Sequence, residues 1–293
     1  MRAVVVGQSG QLALELRQQP CPAGLELLPS TKLDLTDPGA LTAALDGARP
    51  QLILNAGAYT AVDRAEADRD RAFAVNAAGP TTLANWCARN GAALIHVSTD
   101  YVFDGTKLGP YNEADDTAPL GVYGASKLSG ENGVRTALEQ HVIVRTSWVF
   151  SAHGSNFVKT MLRLATERDE LRVVADQHGR PTAARDLAHA VWHIASRIQS
   201  GTPRFGTFHF AGAGETTWHG FAQAIVDEQA RYTGRRPRVA PITTLEYPTP
   251  AKRPANSVLS TNAFEQAFKL APRPWQHGLA EAVRELVAHA AAT

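Results

Sequence analysis

Tyr123 and Lys127 stand four residues apart in the segment 122–131, and their types and spacing point to proton-transfer chemistry. On a helix, side chains at positions i and i+4 share one face, so the lysine ammonium can lie beside the tyrosine phenol. A neighbouring positive charge favours the ionised phenol, which makes the tyrosine a proton donor or acceptor near neutral pH. Where a nucleotide-binding site precedes it, this spacing predicts reduction of a carbonyl group.

A glycine-rich turn near the start of the chain predicts that nucleotide site. Residues 2–7 form a short apolar run typical of a buried parallel strand, and Gly7 and Gly10 lead from it into an Ala- and Leu-rich segment. Gly7 permits a tight turn, Gly10 lets a pyrophosphate approach the backbone, and the small Ala13 lets the next helix pack on the sheet. The first amides of that helix are then placed to hold phosphate.

Polar and small side chains follow three further apolar runs. Small residues dominate 55–60 after the third run, Thr99 and Asp100 follow the fourth, and Trp148 follows the fifth. Ligands of open α/β sheets bind beyond the carboxyl ends of the strands, so we expect these positions to line the site. A threonine hydroxyl can hydrogen-bond a substrate carbonyl while Tyr123 delivers the proton. Trp148 has two interpretations, a core residue or a flat wall for a sugar ring.

Strand-like and helix-like segments alternate along the first half of the chain. This alternation predicts the α/β class, with a Rossmann-like doubly wound parallel sheet. Asp37 and Pro38 predict a helix start, because aspartate caps helices and proline suits the first turn. We expect residues 1–150 to form a NAD(P)-binding Rossmann domain to which later segments return, and 151–293 to form mostly a smaller substrate-binding portion. The runs predicted as strands are 2–7, 25–28, 51–55, 93–98 and 141–145.

Composition argues against several classes of protein. The 293 residues include 44% hydrophobic ones, enough for a sizeable core. With 29 basic against 28 acidic residues and no long basic run, we expect neither a nucleic-acid nor a membrane partner. No apolar stretch reaches the roughly 18 residues of a membrane span and no signal-like segment is visible, so we expect a cytoplasmic protein. Two cysteines without a CxxC pattern and ten scattered histidines predict neither a disulfide framework nor a metal site.

A set of motifs runs along nearly the whole chain, at 7–12, 33–37, 55–63, 65–66, 98–105, 123–127, 145–150, 156–161, 176–177, 181–182 and 253–257. On these motifs the chain resembles the extended short-chain dehydrogenase/reductases, and within them the dTDP-4-dehydrorhamnose reductase family. The resemblance implies a nucleotide-sugar substrate, whose 4-keto group is reduced to give dTDP-L-rhamnose for bacterial surface polysaccharide. It also implies NADPH or NADH as the cofactor.

The same resemblance implies roles for individual residues. The positions implied to bind the cofactor are Gly7, Gly10, Gln11, Leu12, Asp34, Leu35, Ala58, Tyr59, Thr60, Tyr123 and Lys127. Those implied to act in catalysis are Thr99, Tyr123 and Lys127, with Tyr123 as the acid and Lys127 on the nicotinamide ribose. Those implied to contact the sugar are Thr99, Asp100 and Trp148. From their chemistry rather than from the resemblance, we add Arg253 and Asn256 as residues suited to the nucleotide part of the substrate.

The chain departs from the family pattern in its acidic residues. Some members bind Mg²⁺ through glutamates at a dimer interface, and Glu15 and Glu285 fall in matching places. Arg185 stands where a third acidic ligand is expected, and a cation facing a divalent metal is unfavourable. We therefore expect no metal-bridged dimer, while another homodimer stays open.

Cofactor choice depends on the residues after the second strand. Ser30, Thr31 and Lys32 offer no carboxylate for the ribose hydroxyls, while Lys32 can reach a 2'-phosphate. This predicts use of both cofactors with a modest preference for NADPH that weakens as salt rises.

Two other functions stay open at this point. An epimerase of the same family would hold its cofactor permanently, and a regulatory subunit resembling the partner of methionine adenosyltransferase would need no catalysis. Nucleotide-sugar 4,6-dehydratases instead place an Asp-Glu pair after the threonine, whereas Asp100 is followed by Tyr101 here.

Overall fold

A six-stranded parallel sheet forms the centre of the fold. The computed structural model describes residues 1–29 and 33–292. Its strands are β1 (Arg2–Val6), β2 (Glu26–Leu27), β3 (Leu52–Asn55), β4 (Ala93–Thr99), β5 (His141–Thr146), β6 (Val149–Phe150), β7 (Glu170–Val174), β8 (His178–Gly179), β9 (Thr182–Ala183), β10 (Gly206–His209), β11 (Thr216–Thr217) and β12 (Arg238–Ile242). The main sheet has the order β10-β5-β4-β3-β1-β2, and all its neighbouring strands run parallel.

The main sheet confirms the predicted α/β class and the predicted strands. Four of the apolar runs form β1, β3, β4 and β5 within one or two residues of the predicted bounds, and the run 25–28 forms the shorter β2. These runs are continuously apolar because helices cover both faces of a parallel sheet. The carboxyl ends of β1, β3, β4 and β5 therefore meet along one edge, where the predicted site residues follow them.

Helices cover the sheet on both faces. They are α1 (Gln11–Gln18), α2 (Pro38–Ala48), α3 (Val62–Ala65), α4 (Arg69–Phe73), α5 (Gly79–Asn90), α6 (Val122–Ala137), α7 (Phe157–Glu167), α8 (Ala184–Gln199), α9 (Trp218–Thr233), α10 (Asn262–Phe268) and α11 (Trp275–Ala292). Helices α1 and α8 pack on one face, and α2, α5 and α6 on the other. A π-helical turn, Ala74–Ala78, joins α4 to α5. As predicted, Asp37 caps the start of α2. Its carboxylate accepts a hydrogen bond from the Ala40 amide at 2.9 Å.

A second hydrophobic core lies in the later part of the chain. Helices α7, α9 and α11 pack there around the parallel pair β7 and β12, with buried side chains that include Phe221 and Val283. Two later segments return to the main sheet, because β10 pairs with β5 and α8 packs against α1. Among the residues that the structure describes, no helix has the length and hydropathy needed to cross a membrane.

Candidate active site

The turn after β1 is shaped for close approach of a ligand to the backbone. Gly7 has φ of +105°, a conformation that favours glycine. A Cβ atom there would lie 3.2 Å from the Gly57 amide nitrogen, so the two turns after β1 and β3 touch through their backbones. The Arg17 guanidinium donates to the carbonyls of Gly7 at 2.7 Å and Val5 at 3.2 Å, and so braces the turn. Sequence reasoning missed Arg17.

Helix α1 begins directly beyond this turn, with Gly10 as its N-cap. The first amides of a helix have no partner inside it, which suits the predicted binding of a pyrophosphate by Gly10, Gln11 and Leu12. The Leu12 side chain lies in the core, so its backbone amide is the group available for this role. The side-chain oxygen Oε1 of Gln11 accepts from Ser151 at 3.0 Å and Asn156 at 2.9 Å, which joins α1 to the later part of the chain.

Asp34 and Leu35, which the family resemblance implies to bind the cofactor, lie between β2 and α2. Leu35 is buried beside Gly79, where a Cβ atom would come within 2.7 Å of the Leu35 side chain. The Asp34 carboxylate accepts from the Thr36 amide at 2.9 Å and hydroxyl at 2.7 Å, and so fixes its own turn. Ser30, Thr31 and Lys32 lie outside the described residues, and the cofactor preference assigned to them stays a prediction.

The turn after β3 is held by a residue that sequence reasoning missed. Asn76, in the π-helical turn, accepts from the Tyr59 amide at 2.8 Å and donates to the Tyr59 carbonyl at 3.0 Å. Its amide group also donates to Ser126 of α6 at 3.0 Å. Asn76 therefore ties the predicted cofactor loop, which includes Ala58 and Thr60, to the helix that carries Tyr123.

Thr99, Tyr123 and Lys127 come together at the carboxyl end of β4. Thr99 ends that strand, and its hydroxyl donates to Asp100 at 2.9 Å and interacts with the Tyr123 phenol. Lys127 lies one helical turn beyond Tyr123 on α6 and donates to the Val97 carbonyl at 2.7 Å. Thr99, Asp100 and Tyr123 line a cavity of about 310 Å³ that also borders Gln11 and Thr60. Two of the three predicted catalytic residues, Thr99 and Tyr123, thus share a cavity with Gln11, the first residue of α1.

Burial controls the protonation of this set. It raises the pKa of Tyr123 to about 12, and the Thr99 hydrogen bond opposes that rise only in part. In the ligand-free site Tyr123 is therefore neutral, and not ionised as its spacing from Lys127 predicts, because desolvation dominates its pKa. Burial lowers the pKa of Lys127 to about 8, with Glu131 opposing. Near neutral pH Tyr123 is a neutral phenol, which is the form that can donate a proton, and Lys127, one helical turn further along α6, is an ammonium.

A buried ion-pair network lies behind Lys127. Glu131, one further turn along α6, accepts from Arg145 at 2.8 Å and from Arg135 at 2.6 Å. Burial opposes its ionisation, but Arg145 and Arg135 outweigh burial and hold the pKa of Glu131 below its usual value. Sequence reasoning missed Glu131, although it continues the four-residue spacing of Tyr123 and Lys127.

Trp148 lines the same cavity and is half-buried. Its indole stacks on Trp218, the first residue of α9, at a centroid distance of 3.6 Å and an interplanar angle of 8°. Of the two interpretations of Trp148, this position favours a wall of the site. Trp218 was missed because it lies 70 residues further along the chain in a segment without a motif.

A second cavity of about 460 Å³ adjoins the first and shares Tyr101, Phe157 and Trp218 with it. Arg168, Arg172 and Arg253 border this cavity, and cationic side chains suit the phosphates of a nucleotide. Arg253 is also held in place by Asp63, through two hydrogen bonds of 3.0 and 2.7 Å.

The side chain of Asn256, which was predicted to suit the nucleotide part of the substrate, is hydrogen-bonded within the protein. Its side-chain amide donates to the carbonyls of Lys107 and Gly109, both at 2.8 Å, and its oxygen accepts from the Val258 amide at 3.0 Å. Both donor hydrogens are therefore used within the protein. These bonds hold the loop at 107–109, and contact of Asn256 with the substrate stays a prediction.

The residues related to a possible metal site form a small group apart from these cavities. Glu15, Glu281 and Glu285 surround a space of about 20 Å³, and Arg185 lies in it with its guanidinium 3.9 Å from Glu281. The arginine supplies positive charge among these carboxylates. Within 1–29 and 33–292, no group of three or more His, Cys, Asp or Glu residues is arranged to hold a metal ion.

Comparison with known proteins agrees with this geometry. Residues 1–288 match the model of a family described as RmlD substrate binding domain. A dTDP-4-dehydrorhamnose reductase of Sinorhizobium fredii is 46% identical over 98% of this chain and 97% of its own length. The crystal structure of a dTDP-4-dehydrorhamnose reductase from Clostridium acetobutylicum has a TM-score of 0.89 at 38% identity, covering 98% of this chain and 100% of that one.

A second similar solved structure is a complex with a cofactor. It is a dTDP-4-dehydrorhamnose reductase from Bacillus anthracis in complex with NADP, with a TM-score of 0.88 at 36% identity, covering 97% of this chain and 99% of that one. Whole-length matches at these identities, together with the converging Thr99, Tyr123 and Lys127, define the family. The chain therefore belongs to the dTDP-4-dehydrorhamnose reductase family.

Proposed function

We propose that the chain reduces the 4-keto group of dTDP-4-dehydro-6-deoxy-L-mannose to give dTDP-L-rhamnose, with NADPH as the hydride donor. The observation that carries the proposal is that Thr99 and Tyr123 line one cavity with Gln11 of α1, while Lys127, one helical turn beyond Tyr123, donates to Val97 of the strand that Thr99 ends. The chain's 46% identity to a dTDP-4-dehydrorhamnose reductase along nearly its full length supports this choice of substrate.

The cofactor is assigned to the edge of the sheet at β1 and β3. The open turn at Gly7 and Gly10 and the first amides of α1 suit a pyrophosphate, and the related structure with NADP supports the nucleotide chosen. When bound, the nicotinamide supplies the hydride for carbon 4 of the sugar. Asn76 keeps the loop at 58–60 in place against this edge.

The proton comes from the protein. Tyr123, neutral near pH 7 because burial raises its pKa, donates its proton to the oxygen at carbon 4 as the hydride arrives. The Thr99 hydroxyl interacts with the same phenol and can donate to that oxygen or to the phenolate left behind. The Lys127 ammonium lowers the cost of forming the phenolate in a buried site.

An activity assay with one matched pair of variants tests the proposal. Consumption of NADPH is followed by its absorbance with the 4-keto sugar nucleotide, for the wild type, Tyr123→Phe and Tyr232→Phe. Tyr232 is an exposed tyrosine on α9, so its variant controls for loss of a phenol elsewhere. Tyr123→Phe should bind NADPH normally and lose about 10²- to 10⁴-fold in turnover, the usual contribution of a positioned acid. Near-normal turnover by Tyr123→Phe would remove it from the acid role.

The other functions give different results in the same preparation. An epimerase would carry NAD through purification and would interconvert sugars without net consumption of NADPH. A regulatory subunit would show no turnover and would capture a methionine adenosyltransferase from solution. For cofactor choice we keep the preference for NADPH over NADH, tested by comparing kcat/KM for both in the wild type and Lys32→Ala at low and high salt.

A further inference from the structure

Trp148 has a backbone conformation that its own residue type disfavours. Its φ is +48°, in the left-handed region that residues with a side chain disfavour. Among the described residues, the other non-glycine residues with positive φ are Arg49 and Lys269, which end α2 and α10. A left-handed residue is a common helix ending. Trp148 instead lies between β5 and β6, so its conformation must be held by its surroundings.

Two residues from the later part of the chain hold the indole. Trp218 stacks on one face at 3.6 Å, and Gly179 approaches the ring so closely that a Cβ atom would lie 2.4 Å from Cε2 and 2.7 Å from Nε1 of Trp148. The φ of Gly179 is not positive, so this close approach is the reason for a glycine. Gly179 in β8 pairs with Thr216 in β11, two residues before Trp218. The two-stranded sheet of β8 and β11 therefore positions both Gly179 and Trp218 against the Trp148 indole.

We propose that Gly179 and Trp218 are positioning residues that hold the Trp148 indole as the wall against which the sugar ring of the substrate lies. This inference rests on the proposed function, because it assigns the cavity of Thr99 and Tyr123 to the sugar. Trp148 lines that cavity, while Trp218 borders both it and the adjoining cavity with the arginines. A wall fixed in this way decides which face of the sugar meets Tyr123.

The direct test replaces Gly179 by alanine. The added methyl group cannot fit beside a rigid indole at 2.4 Å, so Trp148 must leave its stack. We expect Gly179→Ala to weaken binding of dTDP-L-rhamnose, used as the probe, at least about tenfold, while the Kd of NADPH stays unchanged. Isothermal titration with each ligand measures both. Gly47→Ala is the matched control, because a Cβ atom at Gly47 meets nothing within 4 Å.

A second pair of variants tests the same contact without adding a methyl group at Gly179, so its result does not depend on whether Gly179→Ala folds. Trp218→Ala removes the stacking partner and leaves Gly179, whereas Trp218→Phe keeps an aromatic face. We expect Trp218→Ala to lose sugar-nucleotide affinity selectively and Trp218→Phe to recover most of it. The same ordering is expected for kcat, because a sugar ring without its wall meets Tyr123 in more than one orientation.

Circular dichroism of the ligand-free proteins reports the stack without any substrate. Two indoles stacked face to face give a coupled tryptophan signal, which Gly179→Ala and Trp218→Ala should lose and Gly47→Ala should keep. If the signal survives in Gly179→Ala, the positioning contact is wrong. If the signal is lost but both ligands bind as in the wild type, or both weaken equally, the role in sugar binding is wrong. A wild type that keeps the signal and binds no dTDP-sugar contradicts the proposed function instead.

Discussion

Lys127 is a buried ammonium, and its charge sets the upper pH limit of the site. Burial lowers the pKa of Lys127 to about 8, and the carboxylate of Glu131 opposes that fall. The protonated form is lost as the pH rises through this value, so kcat/KM, which reports the groups of the free enzyme, is expected to decline above a pH of about 8. Glu131→Gln removes the opposing charge, which should move this decline to lower pH.

The measurement is kcat/KM against pH for the wild type and Glu131→Gln, with a thermal melt to show that the variant is folded. Glu131 also compensates Arg145, so a lower melting temperature is expected along with the change in the pH profile. A purely structural role for Glu131 would lower stability and leave the position of the alkaline limb where it is in the wild type.

Asp100 makes stability depend on pH in the opposite sense to a usual carboxylate. Burial raises the pKa of Asp100 from 3.8 to about 7, against hydrogen bonds from Ser257 and Thr99. Between these two values the unfolded carboxyl is ionised while the folded one keeps its proton, so the free energy of unfolding falls as the pH rises. The fall is roughly 1.4 kcal/mol for each pH unit within this window. Above a pH of about 7 both states are ionised, and the fall stops.

Asp100→Asn removes this titration. The melting temperature of the variant relative to the wild type should therefore rise steadily from about pH 4 to about pH 7 and level off beyond it. Parallel curves for the two proteins across that window would show that Asp100 is ionised in the native state.

Helix α6, the element that carries Tyr123 and Lys127, packs backbone against backbone on its neighbours. A Cβ atom at Gly130 would lie 2.0 Å from the Asn76 carbonyl oxygen, and one at Gly124 would lie 2.1 Å from that of Tyr101. Gly130→Ala must push α6 away from the π-helical turn, at a cost of about 1–3 kcal/mol for an overpacked core. Turnover should fall with stability, because the helix moves the catalytic pair.

Urea unfolding of Gly130→Ala and Gly47→Ala measures this effect against a matched substitution. Gly47 lies in α2 with open space around it, so alanine there should stabilise the protein by up to about 1 kcal/mol. Equal stability of the two variants would mean that α6 can retain its position with a methyl group at 130.

The elements that could be predicted from the sequence are those with a strong local signal. The apolar runs of β1, β3, β4 and β5 are long and continuous, and Asp37 with Pro38 marks the start of α2. The pairs β6 with β9 and β8 with β11 are two residues long and have no such pattern. They form because the rest of the fold brings them together, so the contacts of Gly179 and Trp218 could not be predicted.

The same distinction separates the site residues. Thr99, Tyr123 and Lys127 were predictable because a strand end and an i to i+4 spacing are local features. Asn76 acts through Tyr59 and Ser126, which are 17 and 50 residues away, and nothing in its own segment marks that role. The bonds of Asn256 to the loop at 107–109 could not be predicted either, because nothing in its own segment marks its partners.

At the scale of the whole molecule, the main sheet is completed only by segments from beyond residue 150. Strand β10 covers the edge of β5, and α8 with α10 buries the face that α1 covers only in part. A fragment of residues 1–150 should therefore expose Ile95, Val142 and Val144. We expect it to bind a hydrophobic dye and to unfold without a cooperative transition, whereas the full chain melts cooperatively. A sharp melt of the fragment would support an autonomous domain ending at 150.

The number of residues in the π-helical turn at 74–78 determines where the Asn76 side chain points. A π turn holds one residue more than the α-helical turn that could replace it. Deletion of a single residue there would let the segment rewind as α-helix and rotate Asn76 by about 100° relative to α5, the angle between successive residues. The Asn76 side chain could then no longer reach the Tyr59 amide or the Ser126 hydroxyl. A gap of one residue, harmless in an exposed loop, would here uncouple the cofactor edge of the sheet from the catalytic helix.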